Sequence, residues 1–278
     1  AATIGGLGLT GLVVSAEIQL VRVSSDQMEV EDLTFSCVEE FGQLSRDSAG
    51  WEYSVSWIDT FARNGRVGRG IFSRARHASG SGTLKPGQRP RITVPATPPV
   101  SLVNKWTVDM FNRAYFARRK QRSGLQRVHY QPYFFPLDGI ACWNRVYGKK
   151  GFYQYQCVVP RDGGEASIEA LLREVNRSGS ASFLTVLKEF GEQRSPGMLS
   201  FPRPGLTLAI DFPNRGEQTR RLLASFDVIV QAAGGAIYPA KDARMPATLF
   251  SSGFPRLREF VPEVDPKFSS TFWRRIQE

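Results

Sequence analysis

Along this chain, stretches with an apolar residue at every second position alternate with stretches where the spacing is three or four. The first stretch is Leu12, Val14, Ala16, Ile18 and Leu20, interleaved with Val13, Ser15, Glu17 and Gln19. A period of two predicts a half-buried strand. Phe35, Val38 and Phe41 predict a helix, with Asp32 or Thr34 as its N-cap. Trp51, Tyr53, Val55, Trp57 and Asp59 then share one face of a strand. That row suits a core face or a pocket wall, with Trp57 and Asp59 at the pocket end. Residues 62–99 are rich in Gly, Arg, Pro and Ser and read as loops around a short strand at 70–74, with turns at 79–82 and 85–87. A helix is expected around Trp143-Asn144-Arg145, followed by a turn at 148–151 and a strand at 152–159. Ile168, Leu171, Leu172 and Val175 form a helical stripe that ends near Gly179. Strands follow at 183–188 and 206–212, the second stopped by Pro213. Leu222, Leu223, Phe226, Ile229, Val230 and Ala233 mark another helix, closed by Gly234. This order predicts an α+β fold: a largely antiparallel sheet covered by helices.

Composition adds that the fold has a real core. Of 278 residues, 41% are hydrophobic and 12% aromatic, which excludes a disordered chain. The net charge of +10 favours an anionic partner: nucleic acid, a phosphorylated metabolite or an acidic membrane surface. Cys37, Cys142, Cys157, His77 and His129 are too scattered for a zinc site or a disulfide framework, so no metal is expected. No run of eighteen apolar residues predicts a membrane span, and no signal peptide is evident. The start at Ala1 without Met suggests a piece of something longer.

Several stretches carry candidate chemistry. Gly6-x-Gly8-x-x-Gly11 has the letters of a dinucleotide-binding loop, but the period-two run after it conflicts with the helix that such a loop requires. A glycine turn can still let backbone approach a cofactor closely, or it is an ordinary tight turn. Residues 105–127 interleave Arg113, Arg118, Arg119, Lys120, Arg122 and Arg127 with Trp106, Phe111, Tyr115 and Phe116. Such a segment suits nucleic-acid stacking, an anionic membrane or plain solvation. In the strand at 152–159, Gln154 and Gln156 share a face opposite Tyr153, Tyr155 and Cys157. Two amides in an apolar strand need partners, either structural ones or a hydroxyl-rich ligand such as a sugar. Lys188 ends a strand on the face of Leu184 and Val186. In Tyr238-Pro239-Ala240-Lys241-Asp242-Ala243-Arg244, a lysine and an arginine flank an aspartate where a strand would run out. From spacing alone that is a surface ion pair or a site at a strand end.

Taken together, certain strings resemble one family. They are Gly5-Gly6-Leu7-Gly8-Leu9-Thr10-Gly11, Pro136-Leu137-Asp138, Trp143-Asn144-Arg145 and Gly151-Phe152-Tyr153-Gln154-Tyr155-Gln156, then Asp211-Phe212-Pro213, Ala240-Lys241-Asp242-Ala243-Arg244, Phe254-Pro255-Arg256-Leu257 and Val264-Asp265-Pro266. Over nearly the whole chain they resemble the FAD-linked oxidoreductases of the decaprenylphosphoryl-ribose 2-oxidase type, in the vanillyl-alcohol oxidase superfamily of PCMH-type flavoproteins. The resemblance implies that residues 1–23 end a FAD-binding domain, 24–235 form a substrate-binding domain and 236–278 return to the FAD domain. It implies remnants of the FAD domain at both ends, with the main FAD-binding lobe outside these residues and weak or no FAD retention by the chain alone.

The resemblance also implies residue roles. Lys241 is expected to be catalytic, beside flavin and substrate, either as a cation or as a base. Gly8, Thr10, Gly11, Leu12 and Tyr238 are expected at the cofactor, and Trp57, Gln154, Gln156, Lys188 and Thr207 at the substrate. The implied reaction is hydride transfer from a secondary sugar hydroxyl to FAD. The implied substrate is a polyprenyl-phosphoryl pentose of cell-wall biosynthesis, with a reductase partner completing an epimerisation. The implied location is cytoplasmic or peripheral to the inner membrane. A sugar-1,4-lactone or other alcohol oxidase of the same superfamily is the alternative. A basic nucleic-acid-binding protein is a further one, but it leaves the glycine turn, the glutamines and the lysine stretch unexplained, so no nucleic acid is expected. One departure stands out: mycobacterial members have Asn-x-Cys where Thr207 and Ala209 stand here, which leaves the exact sugar open.

Overall fold

The computed structural model describes residues 1–61, 65, 67–80, 87, 90, 92–122, 124–241 and 244–277. Strand β1 (Gln27–Phe35) leads through helix α1 (Val38–Asp47) to β2 (Tyr53–Ile58) and β3 (Gly70–His77). The short β4 (Ile92–Thr93) precedes helix α2 (Lys105–Lys120), β5 (Gln126–His129), α3 (Tyr130–Phe134) and β6 (Ile140–Ala141). Then come β7 (Phe152–Val159), α4 (Gly164–Arg177), β8 (Thr185–Phe190), β9 (Gly205–Pro213) and α5 (Glu217–Ala232). The chain closes with β10 (Ala236–Ile237), α6 (Ala247–Gly253), α7 (Leu257–Phe260) and α8 (Thr271–Gln277).

Eight strands form one sheet in the order β10-β7-β9-β8-β2-β3-β1-β5. Every pairing in it is antiparallel, while β4 and β6 make a separate parallel ribbon. This is the expected α+β architecture. The period-two pattern decides what each face does. On one face, Tyr155, Cys157, Val159, Leu208, Ile210, Phe212 and Leu187 are buried with the stripes of α4 and α5 (Ile168, Leu171, Leu172, Leu222, Phe226, Val230) in the main core. On the other face, α2 and α3 lie mainly over the far strands: α2 packs on β1 and β3 and reaches Trp57 of β2 through Tyr115, and α3 packs on β1 and β5 and reaches Tyr53 of β2 through Phe134. The β7-β9-β8 half of that second face lies outside those helix contacts.

Several expectations need correction. Residues 12–20 alternate like a strand but belong to no sheet among the described residues, and Leu12 is 78% exposed. Alternation supplies an apolar side, but a strand exists only where a neighbour takes its backbone hydrogen bonds. Asp32 and Thr34 do not cap α1: both lie within β1, and the N-cap is Cys37. The strand expected at 70–74 runs on to His77, and Trp143-Asn144-Arg145 begins a 3-10 turn rather than an α-helix. Arg127 belongs to β5, not to the basic helix. Of the turns expected between 79 and 87, residues 81–86 lie outside the described residues.

The N-terminal glycine turn packs on the end of the chain. Leu9 is buried in the main core, and its carbonyl accepts from Asp265 N at 2.9 Å. A Cβ on Gly6 would lie 2.2 Å from Ala2 O and 3.2 Å from the Phe260 ring, so glycine is required there. β10 hydrogen-bonds to β7, so the 236–278 segment begins as an edge strand of the same sheet as residues 27–213.

Candidate active site

Register places most of the expected site residues on the half-face outside the α2 and α3 contacts. Gln154 stands opposite Asp211, and Gln156 opposite Ala209, across β7 and β9. Lys188 stands opposite Thr207, and Val186 opposite Ala209, across β8 and β9. Trp57 pairs with Val186 across β2 and β8. Directly paired residues share a face, so Trp57, Lys188, Thr207, Asp211, Gln154 and Gln156 form one floor. Tyr238 joins at its edge, where Tyr238 N donates to Gln156 O at 2.8 Å. The next 3-10 turn, Pro239–Lys241, delivers Lys241.

Each glutamine is held by the neighbouring strand. Gln154 Nε2 donates to Asp211 Oδ1 at 3.1 Å and Oδ2 at 3.3 Å, and Gln156 Nε2 donates to Thr207 Oγ1 at 3.1 Å. The amides therefore have structural partners, and those bonds fix their orientation. Neither glutamine is fully buried, so each still meets the open side of the floor.

The two lysines give the floor its charge. Lys188 is exposed, yet protein crowded around its ammonium and the nearby Lys241 charge both lower its pKa. Lys241 is also close enough for its charge to act on Asp211. Neither ammonium makes a hydrogen bond or ion pair among the described residues. Two ammoniums held near one another, with the Asp211 carboxyl as the acid beside Lys241, leave an excess of positive charge that favours an anionic ligand.

Asp211 is the residue whose role the strand pattern concealed. It is 6% exposed, and burial pushes its carboxyl up to about 6, against the opposing pull of Gln154 and Lys241. The apolar wall beside it comes from distant segments: Tyr147, Phe152 and Phe183 belong to a second cluster, with Tyr147 stacked on Phe152 at 4.4 Å. The Tyr147 hydroxyl is buried without a hydrogen-bond partner among the described residues, and the Asp211 charge reaches it. The string Asp211-Phe212-Pro213 stood in the sequence, but a single carboxylate before a proline gives no sign that aromatic rings will surround it.

Aromatic walls bound the floor on two further sides. Trp57 lies 4.9 Å from Tyr115 of α2, and its indole Nε1 donates to Phe183 O at 2.9 Å. Tyr238 stacks on Phe201 at 4.8 Å. The 197–201 loop that carries Phe201 also touches the glycine turn: a Cβ on Gly5 would lie 3.1 Å from Ser200 Oγ. Gly8 and Gly11, at φ +72° and +132°, have nothing within 4 Å of a built Cβ, so their backbone is open to close approach. Thr10 Oγ1 donates to Thr3 Oγ1 at 3.3 Å. Among the described residues, Gly8, Thr10, Gly11 and Leu12 make no direct contact with the lysine floor, and the 197–201 loop lies between the two.

Two further readings change. Asp59 is not a pocket residue: its side chain is wholly buried and accepts from Arg69 Nε at 2.9 Å, Asn112 Nδ2 at 2.7 Å and Phe61 N at 3.1 Å. The Arg244 guanidinium reaches inward: it donates to the buried Asp227 at 2.6 Å, and Tyr155 donates to the same carboxylate at 3.2 Å. Asp242 and Ala243 lie outside the described residues. A cleft of about 400 Å³ lies elsewhere, at the start of α2, lined in part by Phe61, Lys105, Trp106 and Arg113.

No family model matches the chain. It is 33% identical over 295 residues to decaprenylphosphoryl-beta-D-ribose oxidase of Mycolicibacterium smegmatis, an alignment covering 99% of this chain and 62% of that protein. It is 31% identical over 297 residues to an uncharacterized protein in the mprA 5' region of Streptomyces coelicolor, covering 99% of this chain and 79% of the relative. Among solved structures, the flavoenzyme CrmK superposes with a TM-score of 0.48 at 10% identity, over 88% of this chain and 55% of that one. A variant of berberine bridge enzyme gives 0.40 at 13% identity, over 92% and 48%. The chain thus spans about three fifths of the ribose oxidase's length (62%) and most of the Streptomyces protein's (79%), with nearly all its own residues aligned to both, and it belongs to the decaprenylphosphoryl-beta-D-ribose oxidase family.

Proposed function

We propose that this chain carries the substrate face of an FAD-dependent oxidoreductase that oxidises a secondary hydroxyl of a polyprenyl-phosphoryl pentose. The observation that carries the reading is the pair of ammoniums, Lys188 and Lys241, which make no hydrogen bond or ion pair among the described residues, on the floor that also holds Gln154, Gln156, Thr207 and Asp211. Cations without protein partners suit a phosphoryl group, and oriented amides suit sugar hydroxyls. The name of the mycobacterial relative, decaprenylphosphoryl-beta-D-ribose oxidase, points to the same substrate class.

In this reading, residues 24–235 bind substrate, and the segments 1–23 and 236–278 turn toward the cofactor. The residues present fit a flavin edge: the open backbone at Gly8 and Gly11, the Tyr238 ring and the Lys241 ammonium are linked through the 197–201 loop. Thr10 and Leu12 flank that backbone. A bound flavin supplies a hydride acceptor. Lys188 anchors the phosphoryl group, while Gln156 and Thr207 hold the pentose against the sheet. Asp211, oriented by Gln154, takes the hydroxyl proton, and the Lys241 ammonium stabilises the developing alkoxide. Trp57 and Tyr115 form the wall along which the isoprenoid leaves. With Thr207 and Ala209 on the floor, no thiol takes part.

The test is equilibrium binding of farnesyl-phosphoryl-ribose to the chain, read by tryptophan fluorescence with and without FAD, beside an aldonolactone. The reading expects saturable binding of the phosphoryl sugar only. It also expects at least roughly tenfold weaker binding in Lys188→Met, as for loss of one charge-assisted contact. Equal binding of the lactone, or no effect of Lys188→Met, would refute it.

A further inference from the structure

We propose that α2 is an interfacial helix that seats the protein on a lipid surface with anionic headgroups. The helix is fixed before any partner arrives. The Asn104 side chain accepts from Trp106 N at 3.0 Å and Thr107 N at 3.2 Å, and Asn104 N donates back to Thr107 Oγ1 at 3.2 Å. These bonds close the first turn. Its inner side is anchored by the buried Val108 and Asn112, and by Arg119, which pairs with Asp32 at 2.6 Å.

The outer side has the wrong polarity for a helix facing water. Trp106, Met110, Ala114 and Ala117 recur at spacings of four and three and so form one stripe. All four are exposed, Trp106 at 84% and Met110 at 69%. Val100 and Leu102, also exposed, extend the apolar surface just before the helix. A solvent-facing helix ordinarily reverses this pattern. The flanks supply the second half of the argument. Arg113 and Lys120 lie on one side of the stripe, and Arg118 on the other, all exposed. The acid on this helix, Asp109, is held by Arg113 in a solvent-open pair, which is weak enough to yield to a headgroup. An apolar stripe ending in tryptophan between cationic margins is the pattern of a helix lying in a headgroup layer. Charge complementarity therefore selects an anionic bilayer. Beside the stripe, the cleft lined by Lys105, Trp106 and Arg113 is of a size to take one headgroup.

The placement matters for the proposed reaction, and this extension rests on that proposal. The side of α2 toward the sheet carries Phe111 and Tyr115, which contact Phe183 and Trp57 at 5.6 and 4.9 Å. A docked α2 would set the aromatic wall of the lysine floor at the membrane, where a polyprenyl chain could enter without crossing water.

The experiment is co-sedimentation of the chain with vesicles of phosphatidylcholine alone and of equal parts phosphatidylcholine and phosphatidylglycerol. Two variants accompany the wild type: Trp106→Ser with Met110→Ser, and Arg113→Gln with Arg118→Gln and Lys120→Gln. Circular dichroism confirms that each folds, as expected for exposed positions. Wild type should sediment with phosphatidylglycerol vesicles far better than with phosphatidylcholine, and release as salt rises from about 0.1 M to about 1 M. The apolar variant should lose roughly tenfold or more in partitioning. The charge variant should lose the preference for anionic lipid, roughly fivefold per cation. Any of three results would overturn the proposal: no wild-type binding to phosphatidylglycerol vesicles, binding that the apolar variant leaves intact, or vesicle-independent dimers or RNA binding that the variants abolish instead. Farnesyl-phosphoryl-ribose binding in detergent should be the same in wild type and both variants, so the docking surface and the lysine floor fail or stand separately.

Discussion

Asp211 is where burial and chemistry meet most closely. Its carboxyl is pushed up to about 6 from an ordinary 3.8 because it is buried and Gln154 and Lys241 only partly compensate. The native state therefore holds a proton that the unfolded chain gives up, so stability falls as pH rises from about 4 through about 6 and then levels off. The shift corresponds to on the order of 3 kcal/mol. Asp211→Asn should remove that slope, leaving the variant more stable than wild type at about pH 8 and similar at about pH 4.5. Urea unfolding at the two pH values decides, and an unchanged slope in the variant would contradict the assignment. Asp59 is the opposite case, a buried carboxylate held by Arg69, Asn112 and the Phe61 amide. Asp59→Ala would leave the largely buried Arg69 guanidinium uncompensated. The variant should lose about 3–5 kcal/mol by the same measurement.

At the scale of elements, β9 begins at a position that only glycine can occupy. Gly205 has φ +150°, and a Cβ there would lie 2.2 Å from Val159 O on β7. Gly205→Ala should therefore open the β7-β9 ladder and cost at least about 2 kcal/mol. Native-state hydrogen exchange would show lost protection centred on Val159 and Leu206, whereas uniform loss across the sheet would point to a different cause. These two strands were legible in the sequence because their alternation is clean and Pro213 marks the stop. β1 was not, because Glu29, Glu31 and Asp32 look like loop residues until their partners are known. Arg76, Arg74 and Arg119 hold them at 2.9, 2.6 and 2.6 Å, and two of those arginines come from β3 and one from α2. Residues 12–20 failed in the other direction, with a strand's alternation and no neighbour to bond. The floor itself was legible as a set of residues, since Gln154, Gln156, Lys188, Thr207 and Lys241 were all singled out. That Asp211 joins them depends on side chains remote in sequence, which no local pattern reports.

At the scale of the whole molecule, the net charge of +10 is not spread evenly in effect. Many arginines are spent on ion pairs along the sheet and helices, whereas Lys188 and Lys241 are left without partners and the flanks of α2 face solvent. Part of the excess charge is thus available at the lysine floor, where it suits a phosphoryl group, and along α2, where it suits a lipid surface. Among the described residues no helix is long and apolar enough to cross a membrane. The central claim is that the sheet floor binds a phosphoryl sugar through its lysines, and one titration tests it most directly. Farnesyl-phosphoryl-ribose is titrated into wild type, Lys188→Met and Lys241→Met while binding heat is recorded, with free farnesol and ribose as separate controls. The account predicts saturable binding in wild type, loss of at least roughly tenfold in each variant, and none for the controls. Binding of undiminished strength in both variants would contradict it.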